Sequence, residues 1–101
     1  ARREFLYTDD LADACIFLMQ NYHSYDIINV GSGIDYSILD VANLIKKVVN
    51  YDGEIKWDDS KPNGIMRKLL DSTKLSNLGW KSSISLEDGL ELTYKHYTEN
   101  N

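Results

Sequence analysis

Residues 27–30, "IINV", carry three β-branched apolar side chains around a single polar residue, Asn29, and are ended by Gly31-Ser32-Gly33. A run without polar alternation suits a strand buried on both faces, as in a parallel sheet. It lies between two helical patterns, so it reads as one strand of an α/β sheet. Such a strand needs neighbours on both sides, and the rest of the chain supplies few.

The flanking segments are amphipathic. In "TDDLADACIFLMQNY" (8–22), Leu11, Ala14, Cys15, Leu18, Met19 and Tyr22 recur at helical spacing, and Thr8, Asp9 and Asp10 offer a cap and negative charge at the helix start. In 37–51, Ile38, Val41, Ala42, Ile45, Val48 and Val49 form an apolar stripe with Lys46 and Lys47 outward, and Ser37 with Asp40 suits a capping box. Segments 4–8, 53–57 and 67–71 read as short strands. Residues 72–80 read as a short helix ending near Gly79. Residues 85–97 close the chain as a helix opened by Ser85 and Asp88, with Leu86, Leu90, Tyr94 and Tyr97 on its apolar face.

With 101 residues, 43% hydrophobic and 27% charged, the chain reads as a single globular unit over 1–101. Its formal net charge of −5 argues against nucleic acid as a partner. The apolar runs are too short to span a bilayer, so no membrane partner is expected. The single cysteine, Cys15, has no internal disulfide partner and fits a reducing cytosol, hence a cytoplasmic protein. The opening "ARREFLY" starts directly in strand-like sequence, which suggests a fragment of a longer product.

Most chemistry-bearing residues have a structural reading. Gly31-Ser32-Gly33 lacks the further glycine of a dinucleotide fingerprint, because position 36 is Tyr36, and no phosphate-loop lysine follows. A strand-to-helix turn is the expected role, so no cofactor-binding residue is assigned. Cys15 lies on an apolar helix face among Asp9, Asp10 and Asp13, where a thiolate is disfavoured, and a structural role is expected. His23 and His96 are isolated and read as surface residues. The pairs Asp9/Asp10 and Asp58/Asp59 read as a helix start and a turn, so no metal site is assigned. No tyrosine is followed four residues later by lysine, and no catalytic residue is assigned to this chain.

The basic turn "KPNGIMRKLLD" (61–71) stands apart. It holds the chain's one proline and three cations, Lys61, Arg67 and Lys68, with no acid inside it until its last residue, Asp71. A guanidinium can grip phosphate oxygens with two parallel hydrogen bonds, so the turn is either an anion site or a solvated loop. Arg2 and Arg3 form a second basic point.

Taken in order, "RREFLYTDDLADACIFLM", "INVGSG", "WDDSKPNGIMRKLLDSTKLSNLGW" and "ISLEDGLELTYKHYTEN" resemble the C-terminal third of the GDP-L-fucose synthase family. These are extended short-chain dehydrogenases/reductases, also called GDP-4-keto-6-deoxy-D-mannose 3,5-epimerase-4-reductases. The first motif is shared by many nucleotide-sugar epimerases and dehydratases, whereas "SKP-x-G…RKLLD…LGW" is more specific. The resemblance implies a Rossmann-type α/β fold in which 27–30 is an outer sheet strand detached from the cofactor-binding half. It also implies a substrate-binding role for this segment within an NADP(H)-dependent cytoplasmic homodimer. The glycine-rich loop and the serine–tyrosine–lysine triad of the family lie outside this segment, which would hold no NADP(H) and would be inactive alone.

Two substrate contacts carry over by position. The arginine before "EF" is Arg3, and the residue after "KP" is Asn63 where the family usually has aspartate. The substitution removes a charge but keeps a hydrogen-bonding group. Arg67 joins them by analogy and charge as a diphosphate contact. The nearest alternative is the same portion of another nucleotide-sugar epimerase or dehydratase. A non-enzyme alternative is a stand-alone interaction module.

Overall fold

The computed structural model describes residues 1–58, 60, 62 and 64–100. Its sheet is small and polar. Strand β1 (Arg2–Glu4) lies between β2 (Asp35–Ser37), antiparallel to it, and β3 (Arg67–Lys68), parallel to it. The register pairs Arg2 with Ser37, Arg3 with Tyr36 and Glu4 with Asp35, and sets Arg2 beside Arg67 and Arg3 beside Lys68. The expected strand over 4–8 is thus displaced toward the N-terminus. Leu6 leaves the sheet to pack against the core, so burial of that side chain outweighs continued pairing.

Residues 27–30 form no strand. Ile28 and Val30 pack on the core while Ile27 is 89% exposed, so only alternate side chains are covered. A ladder needs a neighbouring backbone, and no described strand lies beside this segment. Residues 53–57, also expected as a strand, are irregular, and the 67–71 expectation shrinks to two residues.

Helix α1 (Thr8–Asn21) forms where expected, but turned about its axis. Ala14 is fully buried, Phe17 and Leu18 are partly covered, and Leu11 and Cys15 are exposed, with Met19 at 80%. The cause is polar. Asp10 and Asp13 fall on the same face as Ala14 and Phe17, and both find partners on the segment leading to the last helix. Asp10 Oδ1 accepts from the Ser83 N–H (3.3 Å) and hydroxyl (3.0 Å), and Oδ2 from the Ile84 N–H (3.0 Å). Asp13 accepts from Trp80 Nε1 at 2.9 Å. The expected cap at Thr8–Asp10 is therefore corrected. Tyr7 occupies the cap position without a side-chain hydrogen bond, and Asp10 serves as a tertiary anchor. The place on the covered apolar face expected for Cys15 is corrected with it, because that residue is exposed.

Helix α2 (Ile38–Val48) is capped as its sequence suggests, with Ser37 Oγ accepting from the Asp40 N–H at 3.1 Å. It stops before residue 51 because Asn50 adopts a left-handed backbone (φ 57°). The Asn50 and Tyr51 N–H groups then donate to Lys47 and Lys46 carbonyls, closing a Schellman motif. Helix α3 (Thr73–Asn77) is followed by Gly79 at φ 105°. Helix α4 (Leu86–Glu99) is capped by Ser85, which accepts from the Asp88 N–H at 3.1 Å. Helices α2 and α4 pack together and share the Lys47–Glu87 ion pair at 2.7 Å. The Glu87 hydrogen bond and charge raise the Lys47 pKa.

Ala14, Leu75 and Trp80 form the buried core, supported by Leu6, Phe17, Leu18, Ile28 and Val30, with Val41 buried separately on α2. That core is small for the chain. The radius of gyration is 16.2 Å, against about 13 Å for a compact 100-residue domain. The accessible surface is 7765 Å², whereas a compact monomer of 11.6 kDa exposes roughly 5,800 Å². Large apolar side chains are part of that exposed surface: Leu11, Ile16, Met19, Ile27, Ile65 and Met66 all face outward.

Candidate functional site: arginines on two faces of one small sheet

Side chains alternate across a strand, so the register sorts the site residues by face. Arg2, Glu4, Asp35 and Arg67 share one face, and Arg3, Tyr36 and Lys68 share the other. The contacts agree. Asp35, whose side chain is 7% exposed, accepts from Arg67 Nε at 2.6 Å through Oδ2 and from Arg2 Nε at 3.2 Å through Oδ1. Arg2 Nη2 also donates to the Asp35 carbonyl at 3.3 Å. The two arginine side chains are 49% (Arg2) and 62% (Arg67) exposed, so the carboxylate sits beneath them while much of each arginine stays in solvent. Burial pushes the Asp35 carboxyl up, but the Arg67 and Arg2 hydrogen bonds and charges outweigh it and leave the pKa below its ordinary 3.8.

Arg3 lies on the opposite face. Its Nη1 donates to the Arg2 carbonyl at 2.7 Å, which folds the side chain along its own strand. There it meets the basic turn. Gly64 adopts φ 74°, a conformation that favours glycine, and a Cβ at that position would stand 3.9 Å from Arg3 Nη2. The structure thus brings Arg3 to the turn beside Gly64 and does not bring Arg67 to Arg3. Asn63 and Lys61 lie outside the described residues. Asp35 escaped the sequence reading. Its signal was only an acid in a polar strand, and register alone makes it the shared partner of two arginines.

The other candidates resolve locally. Glu4 sends its carboxylate across the sheet edge, where Oε2 accepts from the Gly33 N–H at 2.7 Å and Oε1 from the Leu70 N–H at 3.3 Å. A Cβ on Gly31 would lie 2.6 Å from Glu4 Oε2. The glycines therefore make room for a carboxylate. A nucleotide phosphate placed there would meet that charge, and these residues do not fit one. Asp58 Oδ1 accepts from the Ser60 N–H and hydroxyl, the turn role read from sequence, and these bonds lower its pKa; Asp59 lies outside the described residues. Among the described residues no group of three or more His, Cys, Asp or Glu is placed to hold a metal ion. No helix of the described residues is long and apolar enough to cross a membrane. A cleft of about 200 Å³ runs between residues 5–8 and α4, lined by side chains that include Phe5, Thr8, Leu86 and Thr93 and no charged group.

Comparison with known proteins gives the architecture its context. The NAD dependent epimerase/dehydratase family matches residues 1–31. A GDP-6-OMe-4-keto-L-xylo-heptose reductase from Campylobacter jejuni superposes with a TM-score of 0.91 at 40% identity, covering 100% of this chain and 32% of that one. A GDP-mannoheptose C4 reductase from the same organism, solved with NADP bound, superposes at 0.84 with 41% identity, over 97% of this chain and 32% of that one. The chain is thus homologous to a portion of the extended short-chain dehydrogenases, α/β enzymes of the epimerase/dehydratase type. Within that class it matches the GDP-L-fucose synthases. GDP-L-fucose synthase 1 of Arabidopsis thaliana is 50% identical over 98 residues, which are 97% of this chain and 30% of that relative. The chain spans about a third of the length of the relatives it matches.

Proposed function

We propose that this chain is the C-terminal, substrate-binding portion of an enzyme that converts GDP-4-keto-6-deoxy-D-mannose to GDP-L-fucose. The reaction is epimerisation at C3 and C5 followed by reduction of C4 with NADPH. The whole protein would be a cytoplasmic homodimer, with its catalytic residues and cofactor loop outside these 101 residues, so that the segment alone holds no NADP(H) and turns nothing over. Arg3, Asn63 and Arg67 are the proposed substrate-binding set, with Arg3 the direct contact to the nucleotide diphosphate.

The single observation that carries this reading is the placement of the Arg3 guanidinium beside Gly64, at the centre of the basic turn. Strand β1 supplies the arginine, and the left-handed glycine bends the turn's backbone alongside it. A dianionic diphosphate there would meet the Arg3 guanidinium, with Lys68 beside it in the register. In the full-length protein, Arg3→Ala should weaken GDP-mannose binding by ten- to over a hundredfold, from loss of a charge-assisted contact worth about 1.5–3 kcal/mol. NADPH affinity should be unchanged. Equal GDP-mannose affinity in wild type and Arg3→Ala would refute the assignment.

A second reading is favoured by the heptose reductases that superpose on 97–100% of the chain: C4 reduction of a different GDP-linked keto sugar. Turnover assays with GDP-4-keto-6-deoxy-D-mannose against GDP-linked keto-heptoses separate the two. A preference for UDP- or dTDP-linked sugars would contradict both.

A further inference from the structure

The segment that carries the basic turn has little to hold it in place. From Gly64 to Asp71 every residue is exposed, and β3 contributes only two residues of ladder. Ile65 and Met66, the apolar residues nearest the turn, are 59% and 68% exposed. Burial therefore contributes little to fixing this stem, and its attachments are polar. They are the β3 pairing with the Arg2 N–H to Met66 carbonyl bond at 2.7 Å, the Leu70 N–H to Glu4, the Asn29 amide to the Asp71 carbonyl at 3.1 Å, and Arg67 to Asp35. Asp35 is the most deeply placed of these anchors, and the only one that joins all three strands: it sits on β2, binds Arg2 of β1 and binds Arg67 of β3.

Arg2 and Arg67 are also neighbours in the parallel register. Two like charges side by side on adjacent strands repel, and the Asp35 carboxylate between them turns that repulsion into a bridge. Without it, the same two arginines would push β3 away from β1, and the turn away from Arg3.

We propose that Asp35 is a positioning residue for the substrate site, acting through Arg67 and Arg2 to hold the stem of the basic turn against the strand that carries Arg3. This rests on the reading of Arg3 as the diphosphate contact. Arg67 then serves the site from the far face of the sheet, through the bridge. If Arg67 instead gripped the diphosphate directly, Asp35 would be its competitor, and the two roles predict opposite effects of removing the carboxylate.

The test uses the full-length protein with GDP-mannose and NADPH as separate probes. Asp35→Asn keeps the shape and removes the charge. It should weaken GDP-mannose binding about tenfold, as should Arg67→Ala, and the double variant should be no weaker than the worse single. NADPH affinity should stay at the wild-type value, a split that general destabilisation would not produce. Arg67→Lys, which can still reach the carboxylate, should keep most of the affinity lost in Arg67→Ala. That comparison carries the test by itself if Asp35→Asn does not fold, and a Lys variant as weak as the Ala variant then overturns the proposal. Unchanged or tighter GDP-mannose binding in Asp35→Asn, with Arg67→Ala weakened, would overturn it in favour of direct contact by Arg67. If Arg3→Ala alone weakens binding while Asp35→Asn and Arg67→Ala do not, the bridge is irrelevant to the site and the Arg3 reading stands. If Arg3→Ala too is without effect, that reading falls and the positioning role falls with it.

Discussion

Gly31→Ala tests the structural account of the Gly31-Ser32-Gly33 turn. A Cβ on residue 31 would lie 2.6 Å from Glu4 Oε2, 2.7 Å from Oε1 and 2.8 Å from Cδ. Ordinary contact begins near 3.4 Å, so the carboxylate must retreat by about 0.8 Å. Glu4 is flexible enough to do so, and the steric cost alone is small. The retreat, however, stretches the 2.7 Å bond from the Gly33 N–H to the limit of hydrogen bonding and removes the already long 3.3 Å bond from Leu70. Losing a bond to a charged acceptor costs about 1.5–3 kcal/mol, and Gly31→Ala should destabilise the full-length protein by about that amount in urea denaturation. The decisive comparison is a double-mutant cycle. Glu4→Ala forfeits the same bonds by itself, but it removes the obstacle, so adding Gly31→Ala to it should cost under about 0.5 kcal/mol, within the range of a substitution that touches nothing critical. Equal costs of Gly31→Ala in both backgrounds would refute the reasoning and show that glycine is needed there for some reason other than Glu4.

Four further outcomes follow from the same geometry. The Asp35 pKa is lowered in the folded protein, so the bridge contributes fully above the ordinary carboxylate value of 3.8 and is lost as pH falls below it; GDP-mannose affinity should hold down to about pH 4 and drop beneath, and a loss already centred near pH 6 would contradict this. Ser37→Ala and Ser85→Ala each remove a cap from α2 or α4 and should each cost about 1 kcal/mol in denaturant titrations, whereas Thr8→Ala, which caps nothing, should change stability by under about 0.5 kcal/mol. Asp10→Asn presents an amide N–H₂ to one of three donors and should lower hydrogen-exchange protection at Ser83 and Ile84 by roughly tenfold or more, with Asp9→Asn as an unaffected control. The 101-residue chain by itself exposes about 1,900 Å² more than a compact monomer of its mass and should self-associate or unfold at low urea, which sedimentation and denaturation would show; a monodisperse monomer with a sharp, high thermal transition would count against it.

Local chemistry made much of this fold legible in the sequence. All four helices lie where apolar periodicity and turn residues put them, and Ser37 and Ser85 cap because a serine three residues before an acid satisfies a backbone N–H without help from the rest of the chain. The basic segment stood out in the sequence for the same reason: proline, glycine and three cations with no acid among them are a local pattern, whereas the partner of Arg67 was not. What could not be read locally was decided by partners distant in sequence. Helix α1 turned its Asp10–Ala14 face inward because Ser83, Ile84 and Trp80, about 70 residues away, supply donors for its aspartates. Residues 27–30 have a strand's composition and no strand's pairing, because a ladder belongs to two segments and composition describes one. Arg3 and Arg67 look alike in sequence, yet a register of alternating faces sends one to Gly64 and the other to Asp35. The residue types were a property of the chain, and the face each one occupies was a property of the sheet.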